Sequence, residues 1–262
     1  MSIYALTSLS GAPGVTTTAL AWARLSPRPT LLVEADLTGG SAALAIAFAG
    51  DVAHDKSLLS LAGHPASEYV PRLWELVVEV PTAPSASDAW IAPAIGFPVQ
   101  ADSMRSVWTP LADALRQISD TTDVDVLIDL GRYRPGSGAL ALMGRADATV
   151  VMTDATLAAL NTLHVALPSV QDHLESTGAA QGLAVVPVLG NEKGAAHRPY
   201  SLSEIQSVVP DVTVLPGITR DARAATAPRR PGSYQRSVTT LVDAARAHAQ
   251  RAADYLTTGS TR

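Results

Sequence analysis

The apolar run Ile3–Leu9 passes without a spacer into Ser10-Gly11-Ala12-Pro13-Gly14-Val15-Thr16-Thr17, and a helical pattern then holds from Thr16 to Leu25. A strand, a glycine-bearing turn and a helix in immediate succession commit this end of the chain to a β-α-β unit. Such a unit needs a parallel partner strand and further helices to cover the sheet. The rest of the sequence meets that demand. Leu31–Ala35, Val124–Leu130, Ala148–Thr153, Leu183–Leu189 and Val212–Leu215 read as strands, with helical stretches at Leu111–Ile118 and from Thr156 towards Leu174. The strands are near-continuous apolar runs, as expected when both faces of a parallel sheet are covered. The fold class expected is α/β, a doubly wound, mostly parallel sheet with helices on both faces.

The turn itself has the outline of a phosphate loop. A working one reads G-x-x-x-x-G-K and then Ser or Thr; backbone N–H groups close around phosphates and the lysine reaches the outer ones. Gly14 and Thr16 keep their places here, and Thr16 opens a helix whose positive end faces the site. Val15 stands where the lysine belongs.

Length and composition narrow the reading. With 262 residues, 47% of them hydrophobic and 16% charged, one large domain over 1–262 with a well-buried core is expected. Within it, 50–106 is weakly patterned, Pro81–Ser87 is a loop, and a strand is placed around Trp90-Ile91-Ala92. The absence of cysteine excludes disulfides, thiolate metal sites and cysteine nucleophiles. No apolar run has the ~18 residues of a membrane span and no basic leader opens the chain, so a cytoplasmic protein is expected. A net charge of −5 does not favour nucleic acid as a partner, although Arg220, Arg223, Arg229, Arg230 and Arg236 form a loose basic run. The final helix, 237–256, carries Val238, Leu241, Val242, Ala245, Ala249, Ala252, Tyr255 and Leu256 at three- and four-residue spacing. Its alanine-rich stripe suits core packing better than a membrane surface.

Glu34, Asp36 and Asp129 stand at strand ends, where open α/β sheets bind ligands. A lone strand-end Asp commonly caps the next turn. Asp36 and Asp129 together, with Thr16, make a set that can hold a hydrated Mg²⁺ or orient a water.

In this order and spacing the motifs resemble those of the ParA/MinD superfamily of deviant Walker ATPases, which position and partition cargo. The family loop, K-G-G-x-G-K, Ser or Thr, then Thr, falls on Ser10–Thr17. Its D-x-D motif with a following glycine pair falls on Glu34-Ala35-Asp36 and Gly39-Gly40, its Walker B aspartate on Asp129, and its base-contacting asparagine on Asn191. Pro216–Asp221 resembles a further family run. Tyr200–Ile205 is similar to a segment of MinD-like localisation proteins of the TadZ or CpaE kind. The resemblance implies Gly11, Ala12, Pro13, Gly14, Val15, Thr16, Thr17 and Asn191 as nucleotide contacts, Thr16, Asp36 and Asp129 around Mg²⁺, and Asp36 as a vestigial catalytic residue.

The departures redirect the functional expectation. Val15 replaces the phosphate-gripping lysine, and Ser10 replaces the signature lysine that crosses a dimer interface in the family. Two lost charge-assisted contacts weaken nucleotide binding by about 3–6 kcal/mol, or ~10²–10⁴-fold, and hydrolysis suffers more. The resulting expectation is a degenerate member, a pseudo-ATPase that binds Mg-ATP weakly or binds no cofactor. It would serve as a scaffold or localisation factor for a protein partner: a positioning, secretion or pilus-type assembly, or an active relative. A homodimer fits the family; membrane contact would be indirect, by recruitment to the inner face or a pole. The alternative is an active partitioning ATPase whose missing charge comes from Arg132, Arg134 or a partner. A small-molecule or anion-binding enzyme reusing the loop is a third class, with no second substrate constellation to support it.

Overall fold

The computed structural model describes the chain except for residues 12–13, 39, 52–54, 191–198, 222–231 and 260–262. Strands β1 (Ile3–Ser8), β2 (Thr30–Glu34), β3 (Val78–Val80), β4 (Ala89–Ala92), β5 (Asp125–Arg132), β6 (Ala148–Asp154), β7 (Leu183–Leu189), β8 (Thr213–Val214) and β9 (Ile218–Thr219) form one sheet. The order is β3-β4-β2-β5-β1-β6-β7-β8, with β9 also on β7. Every pairing is parallel except the edge pair of β3 and β4. Helices α1 (Val15–Leu25), α2 (Ala42–Ala47), α3 (Tyr69–Leu76), α4 (Trp108–Thr121), α5 (Leu140–Met143), α6 (Leu157–Thr177), α7 (Leu202–Val208) and α8 (Ser233–Gly259) lie between and after the strands.

The continuous apolar strands acquire a meaning once their alternation is followed. Ile3, Ala5, Leu31, Val33, Val126, Ile128, Val151 and Val185 point to one face, into a layer with Leu73, Leu111, Leu163 and Ile205 of α3, α4, α6 and α7. Their neighbours Tyr4, Leu6, Leu32, Leu127, Val150, Met152 and Val186 point to the other, against Leu20 of α1, Leu44 of α2 and Leu241 of α8. Each strand therefore contributes to two cores. A fully buried Val or Leu stabilises by about 1.5–3 kcal/mol, so no single face holds the sheet alone.

Three expectations need adjusting. The closing helix begins at Ser233, four residues before its apolar stripe becomes legible at 237. Val238 to Ala252 are buried as expected, but Tyr255 and Leu256 stand exposed at 60% and 53%, so the stripe stops one turn early. The weakly patterned 50–106 region holds α3, β3 and β4, with Leu58, Leu61, Tyr69, Leu73 and Ile91 in the core. β4 lies where the strand around Trp90-Ile91-Ala92 is expected, whereas α3 and β3 are too short to show a period. Among the described residues no helix is long and apolar enough to cross a membrane.

This topology places the site. β5 lies between β1 and β2, so the turn after β1, the residues after β2 and the end of β5 share one carboxyl edge. The register sets Glu34 opposite Asp129, and Leu6 opposite Asp129 on the other side.

Candidate functional site

The loop keeps its helix-entry geometry. Gly14 caps α1 in the left-handed region (φ 85°), and its carbonyl accepts from Thr18 N–H at 2.8 Å. Gly11 is also left-handed at φ 53°. Glycine tolerates both without strain. Ala12, Pro13 and Asn191, all expected nucleotide contacts, lie outside the described residues. Thr17 contributes its carbonyl to an O–H bond from Tyr234 of α8 at 3.3 Å.

Val15 packs into the core. Its side chain is 5% exposed and belongs to the apolar layer with Leu6, Ala19 and Leu20. The lysine has thus been exchanged for a residue that stabilises the sheet–helix interface, and its position is now part of the core.

The acidic half is assembled closely. Asp129 is buried; its Oδ1 accepts from Gly131 N–H at 2.9 Å, and its carboxylate accepts from the Thr16 hydroxyl. Thr16 and Asp129, distant in sequence, therefore meet. Burial pushes the Asp129 carboxyl up to about 6; the Thr16 and Gly131 bonds oppose the rise, and Asp36 adds to it. Glu34 is buried too, with Oε1 accepting from Ala43 N–H at the start of α2 at 2.7 Å. Burial raises it to about 8, offset in part by the Ala43 bond and reinforced by Asp129 and Asp36. A carboxyl group with that value is mostly neutral at pH 7.

Asp36 sits partly exposed at the rim. Its Oδ1 accepts from Thr38 N–H at 2.9 Å and Thr38 Oγ at 2.6 Å, the strand-end turn that a lone Asp commonly makes. Its carboxylate lies against Gly131, where an added Cβ would overlap it. Gly131 is left-handed at φ 58°, in a stretch where the β1–β5 register shifts, and its carbonyl accepts from Thr7 Oγ at 3.0 Å. No motif pointed to Gly131, Thr7 or Tyr234; their roles depend on which strand and helix lie beside them.

Arg132 and Arg134 follow directly. Both are exposed and make no ion pair with a described residue. They line a cleft of about 180 Å³ with Asp36, Thr38, Tyr133 and Ser137. None of Ser10, Gly11, Gly14, Val15 or Thr16 lines it. Arg220 is engaged elsewhere: it pairs with Asp154 at the end of β6 and lies along Gly190.

No family model and no curated protein matches the chain by sequence. Solved structures do match. A ParA family ATPase from Chlorobium tepidum TLS superposes with TM-score 0.66 at 14% identity, covering 95% of this chain and 98% of that one. McdA from Cyanothece, in its ATP complex, gives TM-score 0.68 at 19% identity over 95% and 96% of the two chains. MinD from Aquifex aeolicus, in its complex with MinC, gives 0.62 at 14% over 96% and 95%. The chain has the ParA/MinD fold.

Set on that fold, the site is divided. Thr16, Asp129 and Asp36 are oxygen donors of the kind that suits a hydrated Mg²⁺, with Asp36 at the rim and already bonded to Thr38. Three carboxyl groups converge beside the loop, Val15 is buried in the core, and among the described residues Arg132 and Arg134 line the cleft that Asp36 also borders.

Proposed function

We propose that this chain, as one domain over residues 1–262, is a positioning protein of the ParA/MinD type whose nucleotide site is degenerate and whose working property is protein binding. Burial of Val15 in the apolar layer supports the reading, because the residue standing at the lysine position is an apolar group packed into the core. Ser10, in place of the signature lysine, leaves nucleotide-driven pairing of two copies without its crossing charge. The chain then serves as a cytoplasmic scaffold or localisation factor, brought to a membrane face or pole by its partner. That partner is a positioning, secretion or pilus-type assembly, or an active relative.

Calorimetric titration with Mg-ATP and Mg-ADP, beside a turnover assay, tests this. We expect binding ~10²–10⁴-fold weaker than that of a ParA/MinD ATPase with both lysines, and no turnover above background. Hydrolysis at the rate of such an ATPase measured in parallel would falsify the proposal. One observation favours a second reading: Arg132 and Arg134 make no ion pair with a described residue and line the cleft that Asp36 borders. If they serve the triphosphate, Mg-ATP binding is tight and Arg132→Ala abolishes it.

A further inference from the structure

We infer that the cleft bounded by the ends of β2 and β5 and by the 3₁₀ turn at Pro98–Met104 is a docking site for an acidic, aliphatic-flanked segment of a protein partner. The inference rests on the protein-binding reading above and names the chemistry of its partner. Three surfaces meet there. Leu130 and Leu140 line the cleft as apolar groups, Arg132 and Arg134 supply two guanidinium groups without an ion pair to any described residue, and Pro98 and Ala101 form the third wall. On either side of Pro98, Phe97 and Val99 are exposed at 68% and 88%. They are large apolar side chains held outward on a 3₁₀ turn that Gln100 caps through the Phe97 N–H at 3.0 Å.

Charge identifies the occupant. Among the described residues several arginines find acids: Arg72 with Glu68, Arg105 with Asp102, Arg116 with Asp147, Arg145 with Asp113 and Arg220 with Asp154; Arg236 and Arg251 on α8 have no such pair. Arg132 and Arg134 have none either, and the acid in the same cleft, Asp36, already accepts twice from Thr38. Two such guanidinium groups beside an apolar floor match a carboxylate flanked by aliphatic residues, the arginine-cluster mode of acidic-motif recognition. At about 180 Å³ the cleft is well short of the ~300–1,000 Å³ of small-molecule sites, so it suits one or two side chains and not a nucleotide. Two cations beside Asp36, in a chain of net charge −5, make a poor track for a polyphosphate backbone.

The test uses the full chain without nucleotide. Backbone amide spectra are recorded against acetyl-Leu-Glu-Asp-Leu-amide and its neutral counterpart acetyl-Leu-Gln-Asn-Leu-amide. We expect saturable shifts at Val99 and at Arg132 to Ser137, with the acidic peptide binding about tenfold more tightly than the neutral one. The double variant Arg132→Ala/Arg134→Ala should bind both peptides equally weakly, and Val99→Asp should weaken the acidic peptide with both arginines intact. Melting curves confirm that the variants are folded, as expected for exposed positions. Equal binding of the two peptides, shifts confined to another face, or no loss in the double variant overturns the proposal. So does tighter binding of a single-stranded DNA oligonucleotide at this face, or sedimentation as a dimer that the double variant dissolves. Failure here leaves the degenerate-site reading standing, whereas ATP turnover sinks that reading and is scored separately.

Discussion

Val15 and Gly131 make opposite demands on side-chain volume, and each gives a direct experiment. Val15→Lys asks a lysine stem to leave the apolar layer or to bury its ammonium there. Loss of the valine burial and partial desolvation of the charge should cost about 1–3 kcal/mol, lowering the melting temperature by ~2–9 °C in a chain of this size. Ser10→Lys, on a half-buried loop position, should leave melting within about 1–2 °C of wild type. Differential scanning fluorimetry separates the two, and an unchanged Val15→Lys melt would show that the position is open to solvent. At Gly131, alanine meets both a left-handed backbone and the Asp36 carboxylate. We expect Gly131→Ala to destabilise by about 1–3 kcal/mol in urea titration and to shift the amide resonance of Thr38, which depends on Asp36. A silent substitution would mean that Asp36 is not seated as described.

The closing helix poses the question of element length. Its buried stripe, Tyr234 through Ala252, lies against the layer that also holds Val15, and Tyr234 reaches the carbonyl of Thr17. Leu241→Ala should therefore cost about 2–5 kcal/mol through the cavity it leaves, while Tyr255→Ala should fall within about 0.5 kcal/mol of wild type. Equal effects would place the helix off the sheet. The same element marks a limit of pattern reading. Residues 233–236 are helical because Tyr234 and Gln235 are buried, not because the sequence is periodic there. α3 and β3 escaped notice for a related reason, since a stretch of three to eight residues presents few turns or alternations to register, whereas β4 lies where the sequence places a strand around Trp90-Ile91-Ala92. The long strands were legible because both faces are covered, which makes every position apolar.

Across the molecule, ionisation at the site couples to stability. Glu34 is raised in the fold to about 8 and Asp129 to about 6. For such groups the folded state holds the proton more tightly. Their contribution is whole below the unfolded values near 4.5 and 3.8, and it is lost as pH rises towards 6 for Asp129 and 8 for Glu34. His248, buried in α8, has the opposite sign: burial lowers it, so its contribution is whole above about 6.5 and falls away in acid. The metal-free protein should melt lower at pH 8.5 than at pH 6. Glu34→Gln, which keeps the acceptor for Ala43 N–H, should raise stability at both pH values, with the gain larger at pH 8.5 than at pH 6 by on the order of 1–3 kcal/mol. Thermal melts across pH check this; a parallel offset at every pH would assign Glu34 no role in the slope.

The order of apolar runs, the Gly11–Thr17 turn and the strand-end acids were enough to set the α/β class, the parallel sheet and the place of Thr16, Asp36 and Asp129, because these follow from local periodicity and from a loop that only certain residues can form. Whether the missing lysine left a gap or a filled core could not be read that way. A valine at the start of a helix has the same letters on either side; only the neighbouring strands, which bring Leu6 and Leu20 against it, turn Val15 inward. The same holds for Arg132 and Arg134. Their charge is written in the chain, but their lack of an ion pair to any described residue and their shared cleft with Asp36 arise from β5 lying between β1 and β2. Local chemistry is a property of residues, whereas burial and electrostatic pairing depend on distances that the sheet order alone sets.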